Sequence, residues 1–545
     1  MIRDLDRLTG RTFDVLVVGG GIYGLFVAYD AALRGLSVAL VERDDFGSGA
    51  SFNHLRTIHG GLRYLRSFDI GRARESLHER ATLARIAPYA VRPLAFALPL
   101  YRSLTAGKLA MRAGFVLDRI VSFDRNRGVP PTLRLPGGGV VSRGDAIQRF
   151  PGLRRRGLTG AAVWHDYVTP ESDRLTFSIA LAADGHGAVL ANHIEAIAPL
   201  ADGKHVRGVA ARDRLTGREL EVAARLTVNA TGAASDRLLS PLGVSMRMPL
   251  LKAMNLVTRR DAGQEALGGR APSGRHLFLV PWRDRALLGT WESEREATAD
   301  DVDAAPADIQ SFIADLNHAF PALDLTMADI TLVHRGVVPA VKTKDGRVAL
   351  EGRERVRDHA EDGIEGLISV AGTKYTTARA SAERIVNRAL TKLNRPPVRC
   401  LTATTVLPGG SVRDVSFTIA EARSEHDRDL PSDAIPHLVA AYGSRYRDVL
   451  QIASSRPDWR TRIADDSPVI GAEIVWAVRK EMAVTLADAV IRRTPLGALG
   501  CTGETALERA AQLVAEELRW SEEQRRSEID AVRRFYASTS GSARR

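Results

Sequence analysis

Gly19, Gly21 and Gly24 are spaced to cradle a dinucleotide, and Glu42 stands where the neighbouring ribose would be held. Each glycine has its own physical task. Gly19 permits a tight turn, Gly21 lets the backbone approach a pyrophosphate, and Gly24 lets a helix pack closely on a strand. A helix starting at Ile22 then offers unpaired N–H groups and a partial positive charge to the diphosphate. Glu42, with Arg43 beside it, ends the next strand, where a carboxylate can accept hydrogen bonds from a ribose diol. The elements that must position these residues lie on either side. Phe13–Val18 reads as a buried strand, an apolar helix closes near Gly35, and Ser37–Val41 reads as a second strand.

Two further clusters narrow the dinucleotide to a flavin. Arg56-Thr57-Ile58-His59-Gly60-Gly61-Leu62-Arg63-Tyr64-Leu65 follows shortly after Glu42. Gly60 and Gly61 admit a flat ring against the backbone, while Arg63 and Tyr64 supply a cation and a phenol nearby. The competing reading is an arginine-rich helix start held by internal ion pairs. Far along the chain, Leu367–Ala371 reads as a strand turning through Gly372-Thr373-Lys374-Tyr375-Thr376-Thr377 into a helix. A helix N-terminus there would stabilise an anionic reduced flavin and raise its reduction potential. Lys374 adds a positive charge for that flavin or for an anionic substrate; the plainer alternative is a solvated lysine on an ordinary turn. Arg225–Asn229 reads as a strand ending in Ala230-Thr231-Gly232, which suits a second close approach of backbone to the cofactor.

The rest of the chain supplies the frame. At 545 residues it is too long for one simple core, so two or three domains are expected. Cys400 and Cys501 are the only cysteines and form no CxxC pair, which argues against disulfide frameworks, zinc fingers and iron–sulfur ligation; no metal is expected, and a reducing compartment is. The charged N-terminus lacks an apolar signal core, and no apolar run is long enough to span a membrane, so a cytoplasmic location is expected. The net charge of +11 suits an anionic partner, but the arginines are scattered and no nucleic-acid module is present, so nucleic acid is not expected. Between Leu94 and Gly128, Lys108, Arg112, Arg119, Arg125 and Arg127 interleave with apolar residues. That pattern fits a helix on an anionic membrane surface, or one packed on its own protein. Asp213–Gly217 reads as a hairpin turn, Met246–Val341 as an inserted antiparallel sheet, and Pro408-Gly409-Gly410 as a linker. Beyond it helices dominate, for example Ile474–Arg492 and Thr505–Trp520, and the tail Ser538–Arg545 is expected to be disordered.

Together the clusters resemble the flavin-dependent glycerol-3-phosphate dehydrogenases from about Phe13 to Gly410, most specifically in Ile58–Leu65. Val228–Gly232 and Val406–Gly410 match further landmarks. The resemblance implies an α/β protein: a Rossmann-like, glutathione-reductase-type FAD domain, an interrupting antiparallel substrate sheet and a C-terminal helical cap. The expected division gives the FAD domain residues 1–95, 151–245 and 342–400. The amphipathic and substrate-domain segment is 96–150, the substrate sheet 246–341 and the helical domain 401–545. The resemblance also implies peripheral attachment to the inner face of the cell membrane and electron transfer from reduced FAD to a quinone. Arg63 and Tyr64 would hold the substrate's phosphate and hydroxyls, and Lys374 would lie close to flavin and substrate together. Cofactor contacts are expected from Gly19, Gly21, Ile22, Gly24, Glu42, Arg43, Ser51, Arg56, His59, Gly60, Gly61, from Ala230 to Gly232, and from Gly372 to Thr376.

The chain departs from the family at the substrate side. Valine at Val338 replaces an arginine before proline; Arg335 lies near, but strand alternation puts the two on opposite faces. Asn255 stands where a histidine is expected and cannot act as a base. Gly372-Thr373 replaces a double glycine, and Ser51-Phe52-Asn53-His54 replaces a run of small residues. His59, His54 and His334 are alternatives for the base. The leading expectation is oxidation of a small anionic secondary alcohol, foremost glycerol 3-phosphate. Substrate contacts would come from Arg63, Tyr64, Asn255, Arg335 and Lys374, and chemistry from Arg63, Tyr64, Lys374 and His59. The alternatives are another polyol phosphate, a 2-hydroxy acid or an amine, a flavoprotein without turnover, and a monooxygenase or halogenase. The last ranks low because no second GxGxxG is present. The C-terminal helices are expected to support a homodimer or cover the flavin domain.

Overall fold

The computed structural model describes residues 1–102, 107–412, 414–426 and 430–539. The tail expected to be disordered lies outside them from position 540 onward. β1 (Thr12–Val18) is buried at every position after Thr12. Such a continuous apolar run fits a strand covered on both faces. It sits between two parallel neighbours, β2 (Val38–Val41) and Glu219–Asn229; Leu367–Ala371 and Val189–Ala191 extend the parallel set outward. α1 (Ile22–Leu33) and the helices Ser172–Gly185 and Ala378–Lys392 cover one face. A β-meander covers the other, turning at Gly217, whose N–H donates to Asp213 O at 2.8 Å as the hairpin reading requires. Because β1, Glu219–Asn229 and Leu367–Ala371 run parallel side by side, their C-terminal ends bring three distant turns to one edge: 19–24, 230–232 and 372–377.

A second, ten-stranded sheet carries the other wall. It is gathered from more of the chain than the expected 246–341. Arg92–Tyr101 and Leu158–Val168 pair antiparallel over their whole length within it, so the return to the first sheet comes after residue 168 rather than at 151. Likewise Val348–Leu350 still pairs with Ile330–Lys342, so the boundary expected at 342 falls later. Register fixes which side chains share a face. Asn255 stands opposite His334, Ala253 opposite both Gly336 and Glu292, and Leu251 opposite Val338. The helix Pro306–Ala319 packs an apolar cluster against this sheet.

α2 (Ile70–Ile86) lies between two strands of the second sheet, Thr57–Ile58 and Arg92–Tyr101, and α3 (Lys108–Val121) lies against the turn Leu62–Ser67. Phe115 and Val121 of α3 are buried, whereas Leu109 and, just past the helix, Phe123 are each 80% exposed.

Helices dominate from Val415 onward. Pro408-Gly409-Gly410 is no free linker. Leu407 N donates to Ile86 O at 2.9 Å and Gly409 packs on Tyr442 and Tyr89, so the turn is buried. The helix expected over Ile474–Arg492 stops at Glu481, and Met482 takes φ +57°. A new turn, Asp488–Arg493, starts where the Asp488 carboxylate accepts the N–H groups of Val484 and Thr485, both at 3.0 Å. That capping competes with helix continuation. The break aims Arg493 at Asp45 and leaves Glu481 to pair with Arg174 at 2.5 Å, both pairs buried between the helical domain and the first sheet's domain.

Candidate active site

The dinucleotide cradle is closed by the protein on two sides and open on a third. Gly19 has φ +104°, and a Cβ there would sit 2.7 Å from Ala230 O. A Cβ on Gly24 would run into Gly19 O. By contrast, a Cβ on Gly21 would meet nothing nearer than Ser51 Oγ at 3.5 Å, and one on Gly232 (φ +62°) nothing within 4 Å. The Glu42 carboxylate accepts Gly20 N at 2.6 Å and Asp44 N at 2.8 Å. Burial pushes its pKa up to about 7 against the pull of those two N–H groups, with Asp44 and Asp45 adding to the rise. Ser51 Oγ accepts Ile22 N at 2.9 Å, fixing the loop after β2 to the start of α1. Arg43 is exposed at the rim and pairs with Asp44 at 3.1 Å.

The three sequence clusters meet. Tyr23 Oη, on α1, donates to Lys374 O at 3.0 Å, and a Cβ on Gly372 would run into that hydroxyl. His59 N donates to Thr376 Oγ1 at 3.3 Å, and Thr373 Oγ1 donates to Glu351 O at 2.7 Å. Tyr375 turns inward instead: its hydroxyl lies 2.8 Å from Thr176 Oγ1 and its ring stacks on His54. Beneath Gly60 lies a buried Arg80–Asp166 ion pair. Asp166 also accepts Gly60 N at 2.7 Å, and a Cβ on Gly60 would strike Arg80. Gly61, at φ +78°, would meet Ser76.

Arg56 corrects the expectation of a cofactor contact. It is buried, hydrogen-bonds Ser172 Oγ at 2.5 Å, and lies over the Trp282 ring at 4.1 Å, so its guanidinium serves the join between the sheets. Arg335 is likewise engaged elsewhere, pairing with Asp303 at 2.9 Å from the sheet face opposite Val338. Asn255 is buried, accepts Thr290 Oγ1 at 2.8 Å and donates to Asn53 O at 3.3 Å; it ties the sheet to the 51–56 loop.

Around Tyr64 the structure concentrates cations. Lys374 Nζ is 4.3 Å, the Arg72 guanidinium 4.5 Å and the Arg63 guanidinium 5.0 Å from its ring centroid. Arg63 also donates to Tyr64 Oη at 3.0 Å. Burial would raise the phenol's pKa, but Arg63 and Lys374 overcome it and hold the group below its ordinary value. Burial lowers Lys374, and Arg72 and Arg63 add to the fall while Tyr64 opposes it.

The histidines separate by environment. Burial, with help from Arg56 and His59, pushes His54 down to about 3, and its Nδ1 already accepts Arg56 N at 3.0 Å. His334 is wholly buried and held far below its ordinary pKa by desolvation first and Arg56 second. His59 alone of the three is exposed, with Thr57 Oγ1 at 2.7 Å from Nε2 and Asp166 at 3.8 Å from Nδ1. Asp166, Arg80, Arg72 and Tyr23 were not anticipated. Arg72 alone had a sequence signal, a cation in the first turn of a helix just past Arg63-Tyr64.

The open sides at Gly21 and Gly232 and the joined turns fit FAD. The Gly21 backbone and the start of α1 would hold its diphosphate, Glu42 its ribose, and the 59–61 and 372–376 turns its ring system. Comparison with known proteins agrees. A model described as FAD dependent oxidoreductase matches residues 14–388, and one described as the C-terminal domain of alpha-glycerophosphate oxidase matches residues 400–525. The chain is 32% identical to a glycerol-3-phosphate dehydrogenase of Synechocystis sp., over 96% of each chain. It is 31% identical to the mitochondrial glycerol-3-phosphate dehydrogenase of Homo sapiens, over 96% of this chain and 73% of the relative. The crystal structure of the glycerol-3-phosphate dehydrogenase from Bacillus halodurans, complexed with FAD, matches with a TM-score of 0.77 and 25% identity, covering 98% of this chain and 96% of that one.

Proposed function

This chain belongs to the family of FAD-dependent glycerol-3-phosphate dehydrogenases, and from that premise we propose that it oxidises sn-glycerol 3-phosphate to dihydroxyacetone phosphate and delivers the electrons to a quinone. The observation that carries the reading is the cluster of cations around Tyr64, one of them Lys374, whose carbonyl Tyr23 ties to α1. Bound FAD supplies the hydride acceptor for C2 of the alcohol. Arg63 and Lys374 hold the phosphate and stabilise charge growing on the C2 oxygen, and Tyr64 orients the hydroxyls. His59 takes the hydroxyl proton, its ring steadied by Thr57 and Asp166. Anaerobic mixing with glycerol 3-phosphate tests this: the oxidised flavin absorption should bleach, and persistence of that absorption would remove the substrate from consideration.

A second substrate reading rests on Val338 and on the Asn255 side chain, committed to Thr290 and Asn53. Under it another hydroxylated anion bleaches the flavin faster. The same experiment with a panel of polyol phosphates and 2-hydroxy acids separates the two.

Peripheral membrane attachment is proposed at α3. Leu109, Val116, Ile120 and Phe123 are exposed beside Lys108, Arg112 and Arg119, and the helix packs on the turn that carries Arg63 and Tyr64. No helix among the described residues is long and apolar enough to cross a membrane. Sedimentation with anionic liposomes at moderate salt, lost on Leu109→Glu with Phe123→Glu, is the expected result.

A further inference from the structure

We infer that Arg72 is a phosphate-binding, specificity-determining residue, supplying from α2 the cation that Val338 does not supply from the substrate sheet. The inference rests on the function proposed above and goes beyond it by naming what replaces the missing charge.

The geometry around Tyr64 is the first support. Three cationic groups lie within 5.0 Å of one ring centroid, on three separate elements: Arg63 on the 62–67 turn, Arg72 on α2 and Lys374 on the turn after Leu367–Ala371. Like charges gathered this closely repel unless an anion is placed among them. Asp69 reaches Arg72 only at 3.6 Å and is shared with Arg353 at 3.0 Å. Glu292, on the substrate sheet, interacts more strongly with Arg275 than with Arg63, and burial pushes its pKa up. A phosphate dianion offers several acceptor oxygens to donors arranged about one point.

The second support is how Arg72 is held. Its guanidinium donates to the Gly352 carbonyl and stacks on Tyr64, and a Cβ on Gly352 would strike it. Neither partner neutralises its charge, and both restrict its rotamers in advance of binding. Its Nε is buried without a hydrogen-bond partner. The residue also stands in the first turn of α2, where a cation opposes the helix dipole at a typical cost of about 0.3–1 kcal/mol. A guanidinium set against the dipole, stacked and joined to a neutral carbonyl is placed for a ligand rather than for the helix.

The third support is the sheet itself. Val338 shares a face with Leu251 and, two residues along, with Gly336 and Ala253, an apolar stretch that brings no donor. Arg335 points to the other face and pairs with Asp303.

Steady-state kinetics of Arg72→Leu and Arg72→Lys, each loaded with FAD, test the inference. For Arg72→Leu the KM for glycerol 3-phosphate should rise at least tenfold while kcat changes less than threefold. Competitive inhibition by inorganic phosphate should weaken by a similar factor, and Arg72→Lys should recover part of both. A KM and a phosphate inhibition constant within twofold of the parent, or a loss confined to kcat, overturns it. Should leucine cost the protein its flavin, Arg72→Gln carries the same measurement. If glycerol 3-phosphate fails to bleach the parent flavin, the proposed substrate falls. Inorganic phosphate titrated against the flavin spectrum then still decides Arg72: binding that weakens in the variant supports it, and equal or absent binding overturns it.

Discussion

The cofactor side of the site and its substrate side are built from different chemistry. On the first, main-chain N–H groups at 19–24 and the turns at 230–232 and 372–376 are positioned by parallel strands, and glycine is required because backbone meets backbone. On the second, Arg63, Arg72 and Lys374 converge on the Tyr64 ring, with Arg63 also held by the Tyr64 hydroxyl and Arg72 by the Gly352 carbonyl. A backbone cradle admits few sequence solutions. A cluster of charges admits many, since a cation lost at one position can return from another element that reaches the same point. The departures that the resemblance implies at Val338 and Asn255, beside an intact glycine fingerprint, would follow from that difference.

The sharpest way to break the comparison is a pair of glycine substitutions. Gly24→Ala puts a methyl group against Gly19 O, backbone against which nothing can yield; it should cost more than about 4 kcal/mol and leave no soluble holoenzyme. Gly21→Ala has 3.5 Å to its nearest neighbour, so the apoprotein should keep its circular dichroism and melting temperature yet lose FAD. If Gly21→Ala purifies yellow with full flavin content, the diphosphate does not approach there and the contrast between the two sides fails.

What the residues announced follows the same division. Gly19, Gly24 and Glu42 could be read because the unit's own geometry requires them: a positive φ at Gly19, the approach of Gly24 to Gly19 O, and the Glu42 carboxylate accepting Gly20 N. Parallel pairing of Leu367–Ala371 with Glu219–Asn229 is long-range, yet the small-residue turns at their ends marked both. Arg56 misled because a buried arginine over Trp282 and a cofactor-facing arginine look alike in a sequence. Asp166 and Arg80 left no local trace: their need arises only once Leu158–Val168 is laid beneath Gly60. The helix break at Met482 was equally hidden, since its cause is the Asp488 carboxylate capping residues ahead of it.

A medium-sized effect sharpens the comparison at the seam between domains. Asp45, in the loop that follows Glu42, pairs with Arg493 while Arg492 lies 4.0 Å over the Phe52 ring, so one turn of the helical domain grips the loop at both ends. Arg493→Leu leaves the Asp45 charge buried and should cost about 3–5 kcal/mol. Lower urea resistance together with faster FAD release is the expected result. Lower stability with unchanged FAD release would mean that the seam supports the fold but not the cradle.

The smallest effect is a pH dependence at the same seam. His193 Nε2 lies 3.0 Å from Asp488, whose carboxylate also caps the turn carrying Arg492 and Arg493. Burial alone would lower His193, but the hydrogen bond and charge of Asp488 outweigh it and raise the pKa; Asp488 is lowered, with His193 and Arg493 overcoming its own burial. The signs are opposite for the two partners. The histidine's contribution is full below its unfolded pKa near 6.5 and is lost as pH rises through its raised folded value. The carboxylate's is present above about 3.9 and is lost as pH falls through its lowered folded value. Stability from this pair is therefore greatest between about pH 4 and 6.5 and declines on the alkaline side. His193→Gln should remove about 1.5 kcal/mol at pH 6 and much less at pH 8.5, measured as the difference in urea midpoint between parent and variant. An equal loss at both pH values would show that the imidazole is neutral in the folded protein and that the turn is held by Asp488 capping alone.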